Sequence, residues 1–331
     1  MRPQSAWPTV PAEQAIERAE AAPRGRFPIL NLLLFTATLV TTTVAGALNS
    51  DVSPQDLSSE WTVGLPFSLT LMSILLAHEM GHYLTARYYG VRATLPYFLP
   101  GPPILVGTFG AFIRMKSAPG DRRVLFDVGA AGPWAGLFIA VPAALYGLSM
   151  SELQPIPPSF TGLYFGDSLL FKLLSQAAVG PVPYGFDVML HPVAMAGWFG
   201  LFVTVLNLLP VGQLDGGHVI YAMFGRRHRA IARSMLLGIV AVGFLGWNGW
   251  FVWAALLMLV GVDHPPTVDR DTPLDRRRWI FGWLTLALFV MTFVPVPITW
   301  IEGGVGPPPE ELTPVRFDEA LTPVRFDAEA P

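Results

Sequence analysis

Most apolar positions in this chain fall in long runs. Runs long enough to cross a bilayer, about 17–25 residues each, occupy 28–49, 62–87, 126–149, 191–209 and 279–300. A further run, 231–262, is broken by Trp247-Asn248-Gly249-Trp250, a turn signal with interfacial aromatics. It reads as a tight helical hairpin in preference to one long tilted span. Residues 93–113 carry no charge, but they hold Pro96, Pro100, Pro102 and Pro103 with Gly101, Gly107 and Gly110, too many breakers for a regular helix. Irregular backbone at membrane depth needs cover from protein or a wet cavity. Segment 93–116 is therefore expected to be a re-entrant loop or β-hairpin, with strand-forming residues over 104–115. The predicted fold is an all-α polytopic membrane protein of about six to seven transmembrane helices, with that loop or hairpin after the second.

Charge sets the orientation. All but Lys172, Arg316 and Arg325 of the 21 Lys and Arg fall on one side, provided that 231–262 crosses twice. The positive-inside rule makes that side cytoplasmic, with the N-terminus inside. One crossing at 231–262, or a long span at 93–116, would spoil this asymmetry. With 14% charged and 52% hydrophobic residues the chain departs from soluble domains, which carry about 25% charged residues. A net charge of −3 gives no case for nucleic acid. Residues 1–27 mix acidic and basic side chains with prolines and read as a solvated cytoplasmic tail, not a signal peptide. Segment 168–179 has the pattern of an interfacial amphipathic helix. Residues 301–331, where LTPVRFD recurs at 312–318 and 321–327, read as a disordered tail. The domain between the tails is 28–300, and the lipid bilayer is its first expected partner.

Ionisable groups inside a span are costly and usually functional. Away from the span ends, the only ones are His78, Glu79 and His82, in LMSILLAHEMGHYLTARYY. No other span offers a counter-charge, and a bound cation solves that problem. Residues four apart on a helix differ by about 40° in direction, so both imidazoles reach one Zn²⁺ with Glu79 beside them as general base. Zero cysteines confine the ligands to histidine and carboxylate. The best third ligand is Asp215, in the stretch NLLPVGQLDGGH (207–218), expected to be non-helical. His218 is the rival, and an Asp-Gly turn is the structural alternative for Asp215. His78 lies roughly 13 Å from the cytoplasmic end of its helix, so that loop and the helix enter from the same face.

HEMGH in a span followed by NLLPVGQLDGG resembles the site-2 protease family of intramembrane metalloproteases. GTFGAFIRMKS (107–117) and FDVGAAGPWAG (126–136) are similar to segments of its bacterial and plastid members. The likeness spans roughly 62–225. It implies His78, His82 and Asp215 as zinc ligands, Glu79 as the catalytic glutamate, and Asn207 as a group holding substrate or oxyanion, against a helix-packing amide. It also implies a membrane-anchored protein substrate and a bacterial cytoplasmic membrane, or a plastid one. If 104–115 offers an edge strand to unwound substrate, Gly107, Phe109 and Gly110 are the expected contacts. Many relatives carry a PDZ or CBS domain, and no segment here is long enough for either. The competing classes are a metal transporter, which would need polar groups in several spans, and a catalytically inactive scaffold, against which the intact Glu79 argues.

Overall fold

The computed structural model describes residues 28–50, 52–104, 106–156, 161–269 and 271–302. The N-terminal tail and the two LTPVRFD copies lie outside these residues. The described chain is mostly helical. Among the described residues, three stretches are long and apolar enough to cross a membrane: Ile29–Leu48, Leu57–Tyr88 and Arg122–Ser149.

Helix α1 is Ile29–Leu48. A short α2 (Leu57–Glu60) and a 3-10 turn (Trp61–Gly64) lead into α3 (Leu65–Tyr88), which starts on a proline in its first turn. α4 (Arg122–Ser149) is capped by Asp121, whose carboxylate accepts from the backbone of Arg123 and Val124. α5 (Leu169–Ala178) is the expected amphipathic helix, with Leu169 and Leu173 exposed. α6 (Pro192–Asn207) is followed by α7 (Asp215–Phe224), α8 (His228–Gly243), α9 (Gly249–Val260) and α10 (Arg276–Thr292). The 231–262 run does fold back: α8 and α9 pack together across the Trp247 turn, and the His264 ring returns to within 5.9 Å of His228.

Lipid tails are as apolar as leucine, so close backbone approach, not hydrophobic exclusion, must hold such helices together. The contacts of α3, α4 and α6 have that character. A Cβ added at Gly81 would stand 2.5 Å from the Ala131 carbonyl, and one at Gly147 would stand 2.1 Å from the Ala194 nitrogen. The main core gathers Phe67, Leu71 and Ile74 of α3, Ala140 and Ala144 of α4, and Trp198 and Phe199 of α6. One end is tied by charge. Arg278 at the start of α10 pairs in bidentate fashion with Asp127 of α4, and Tyr89, just past α3, donates to the same carboxylate at 2.5 Å.

Three expectations about elements are corrected. The strands are not confined to 93–116, where β1 (Tyr97–Pro100) pairs antiparallel with β2 (Thr108–Phe112) as a hairpin: β3 (Glu152–Pro155) also pairs with β5 (Phe186–Met189), and β4 (Thr161–Phe165) with β6 (Ile298–Glu302), so the chain is not all-α outside that hairpin. Breakers at 96–103 bar a helix there but not a strand, because Pro100 falls where the β1–β2 register shifts and needs no ladder donor. The 279–300 run does not stay helical either. Its helix stops at Thr292; Pro295 and Pro297 intervene, and the β-branched stretch from Ile298 joins β4. Finally, Asp215 is the first residue of a helix and not part of a loop.

Candidate metal centre

The HEMGH residues lie in the middle of α3, where His78, Glu79 and His82 are 4%, 5% and 6% exposed. One helical turn sets the two rings on a common face, with Nε2 atoms 3.1 Å apart. Asp215 arrives from α7, and its Oδ2 lies 3.1 Å from His78 Nε2 and 3.2 Å from His82 Nε2. These three are the metal-capable cluster found among the described residues. The donors form a nearly equilateral triangle. A tetrahedral ion with bonds of about 2.0–2.1 Å has ligand atoms separated by roughly 3.3 Å, so the triangle fits zinc and leaves a fourth position for water or substrate.

The tautomers agree with this. His82 Nδ1 lies 2.7 Å from the Val128 carbonyl, which only accepts, so Nδ1 carries the proton and Nε2 offers its lone pair to the centre. The Asn207 amide, at the end of α6, places Nδ2 3.3 Å from His78 Nε2. Asn207 thus stands beside the ligands.

α4 closes the wall behind the ligands because it is glycine-rich at the right heights. An added Cβ at Gly132 would stand 2.0 Å from His82 Nε2, and one at Gly136 would stand 3.2 Å from His78 Cβ. At Gly129 it would stand 2.7 Å from His218 Cβ. The FDVGAAGPWAG stretch is therefore the backing of the centre. Glycines in the DGG run do a similar job: Cβ atoms at Gly216 and Gly217 would meet the Leu208 and Gly212 carbonyls at 1.9 and 2.4 Å. They permit the start of α7 to pack on the preceding turn.

A cavity of about 180 Å³ opens over the triangle, lined by His78, Glu79, His82, Asn207, Asp215 and His218. Its remaining wall includes Ala111, Phe112 and Ile113 at the end of β2. Gly107, Phe109 and Gly110 stand elsewhere. Gly107, at φ +77°, accepts from the Thr41 hydroxyl at 2.6 Å and is pressed against α1. Phe109 is 74% exposed, and Gly110 has open space around it. The pairing of His218 with His264 at 2.6 Å was not foreseen. The two lie 46 positions apart in the chain, and no periodic pattern links them.

Two imidazoles, a carboxylate and a separate glutamate around one cavity are the parts of a metallohydrolase centre. Residues 66–245 match the model of peptidase family M50, and the chain belongs to that family. It is 33% identical over 243 residues to "Probable zinc metalloprotease EGY1, chloroplastic" of Arabidopsis thaliana, a match covering 70% of this chain and 43% of that protein. It is 28% identical over 239 residues to "Probable zinc metalloprotease EGY2, chloroplastic" of the same plant, covering 72% and 43%. With "Probable zinc metalloprotease EGY3, chloroplastic" of Oryza sativa subsp. indica it shares 29% over 254 residues, covering 70% and 42%. The match spans less than half the length of these relatives.

Proposed function

We propose that this chain is an intramembrane zinc metallopeptidase that hydrolyses peptide bonds within or beside the transmembrane segments of membrane-anchored proteins. The observation that carries this reading is the 3.1–3.2 Å triangle of His78, His82 and Asp215 inside an apolar helix bundle, with Glu79 in the same cavity. M50 membership and the names of the relatives support it. On this reading 28–300 is the membrane domain, with its catalytic core at about 62–225 and tails on either side. The chain lies in a bacterial cytoplasmic membrane or a plastid membrane, its N-terminus on the arginine-rich side, with about six to seven crossings and 93–116 dipping in from that side.

His78, His82 and Asp215 would hold the zinc. Held by these three residues, the ion would supply polarisation of the substrate carbonyl and a more acidic water. Glu79 takes a proton from the attacking water and returns it to the nitrogen of the bond being cut. Asn207 Nδ2 donates toward the carbonyl oxygen as charge builds on it. A helical substrate hides its carbonyls in hydrogen bonds and must unwind first. β2, whose Ala111 and Phe112 line the cavity, offers an edge for the extended segment.

The test uses purified full-length protein in a bilayer with a membrane-anchored reporter. Glu79→Gln is expected to keep its zinc and lose cleavage by about 10²- to 10⁴-fold. Unchanged cleavage would remove Glu79 from the reaction. Failure of the wild type on every reporter, with no zinc bound, would leave the scaffold reading standing.

A further inference from the structure

Three of the six histidines stand outside the metal triangle yet gather next to it. His218, on the first turn of α7, lines the catalytic cavity, and its Nδ1 lies 2.6 Å from Nε2 of His264 in the segment after α9. His264 Nδ1 lies 2.5 Å from the Pro265 carbonyl. Tyr221 stacks on the His264 ring at 4.5 Å and 19°, and His228 meets it edge-on. The ring is held on both sides.

These contacts fix where the protons are. A carbonyl only accepts, so His264 carries a proton on Nδ1. Burial, with the His218 ring beside it, pushes His264 down to about 3. It is therefore neutral near pH 7, has that single N–H, and presents a lone pair at Nε2. The 2.6 Å contact then requires His218 to donate from Nδ1. A neutral His218 with its proton there has its own lone pair at Nε2, an atom with no hydrogen-bond partner among the described residues. A backbone carbonyl thus dictates, through two rings, that the free nitrogen of this cavity-lining residue is an acceptor and not a donor.

We propose that His218 is a further catalytic residue, whose Nε2 accepts a hydrogen bond from the nitrogen of the peptide bond being cut, and that His264 is the positioning residue that keeps it an acceptor. This rests on the peptidase reading of the cavity. As the C–N bond breaks, the nitrogen receives the proton carried by Glu79 and leaves as an amine, while the water oxygen stays with the new carboxylate. The nitrogen gains an N–H and positive character at that moment. The two ligand rings and Asp215 face the metal position, and the Asn207 amide nitrogen donates. His218 supplies a neutral acceptor in the same cavity as Glu79, and itself neither gains nor loses a proton.

The experiment compares His264→Leu with His264→Gln in the full chain with the same reporter, alongside zinc content. Glutamine places an amide oxygen where Nε2 was and still accepts from His218; leucine does not. His264→Leu is expected to lower kcat about 10- to 100-fold, the loss of one hydrogen bond to a charged group, with KM and zinc unchanged. His264→Gln is expected to return to within about threefold of wild type. A second readout needs no turnover. In ¹⁵N-histidine spectra of the wild type, the signals that vanish in His218→Leu should report a protonated Nδ1 and a bare Nε2. Equal cleavage by the Leu and Gln variants, or a wild-type His218 protonated at Nε2, would overturn the proposal. Cleavage unaffected by Glu79→Gln would instead overturn the peptidase reading, whatever the spectra show.

Discussion

Two pairs of imidazoles stand beside one cavity, and they are built for different particles. His78 and His82 turn their Nε2 atoms toward each other at 3.1 Å, with Asp215 closing the triangle. His218 and His264 meet at 2.6 Å, nitrogen to nitrogen, which leaves room for one shared proton and nothing larger. The first pair is set by a helical turn, the second by a loop returning after a hairpin. In each case a backbone carbonyl decides the outcome. Val128 takes the proton of His82 away from the centre, and Pro265 takes that of His264 away from His218. Residue type alone does not separate a metal site from a hydrogen-bonded pair. Donor spacing and the next partner along do.

The harshest test of this contrast is removal of the ion. If only the first cluster binds metal, the chain holds one zinc, and chelation abolishes cleavage on the order of 10³-fold or more. Restoring zinc to about 1,000 times its Kd should return roughly 4 kcal/mol of protection against unfolding. His264→Leu should leave both the stoichiometry and that protection untouched. Metal analysis giving two ions per chain, the second lost with His264, would break the comparison.

Glycines on α4 allow a finer separation. Gly132→Ala sets a methyl 2.0 Å from His82 Nε2, where the ion's ligand must point, and is expected to cost the zinc and nearly all activity. Gly129→Ala presses on His218 Cβ at 2.7 Å, an overpacking strain of about 1–3 kcal/mol. It should keep the ion and lower cleavage roughly 10-fold. Elemental analysis of the two variants decides: equal zinc in both would mean that α4 yields at Gly132, and the wall is softer than its contacts imply.

How legible this was varies with the kind of signal. The HEMGH helix declared itself, because charged groups in an apolar run have few explanations. Asp215 was readable as a partner of the two histidines but not as a helix start. Asp-Gly-Gly has the composition of a turn, and only the carbonyls of Leu208 and Gly212 reveal that the glycines are there for clearance. The 279–300 run misled for the opposite reason: hydropathy does not distinguish a helix from the β-branched strand that follows Pro297. The β4–β6 pairing spans well over a hundred residues, and the His218–His264 contact exists only once the α8–α9 hairpin has brought the chain back. Neither leaves a trace in local spacing.

The mildest perturbation is the one that should touch both pairs at once. Asp215 and His218 ride on the same short helix, α7, whose far end has no capping side chain of its own. Arg122 substitutes for one: its Nε and Nη2 donate at 2.9 Å to the Ala222 and Met223 carbonyls, which the helix leaves unpaired. A cation there also meets the negative end of the helix dipole. Arg122→Ala should therefore lower stability by about 2 kcal/mol, with a few-fold loss of zinc affinity and a few-fold loss of kcat. Arg122→Lys keeps the charge but not the planar fork, and should recover only part of each. Titration of zinc against the three proteins, with cleavage rates at saturating metal, separates the two effects. A variant that weakens metal binding while leaving the saturated rate intact would mean that Asp215 moves and His218 does not, and that α7 is not the rigid carrier of both.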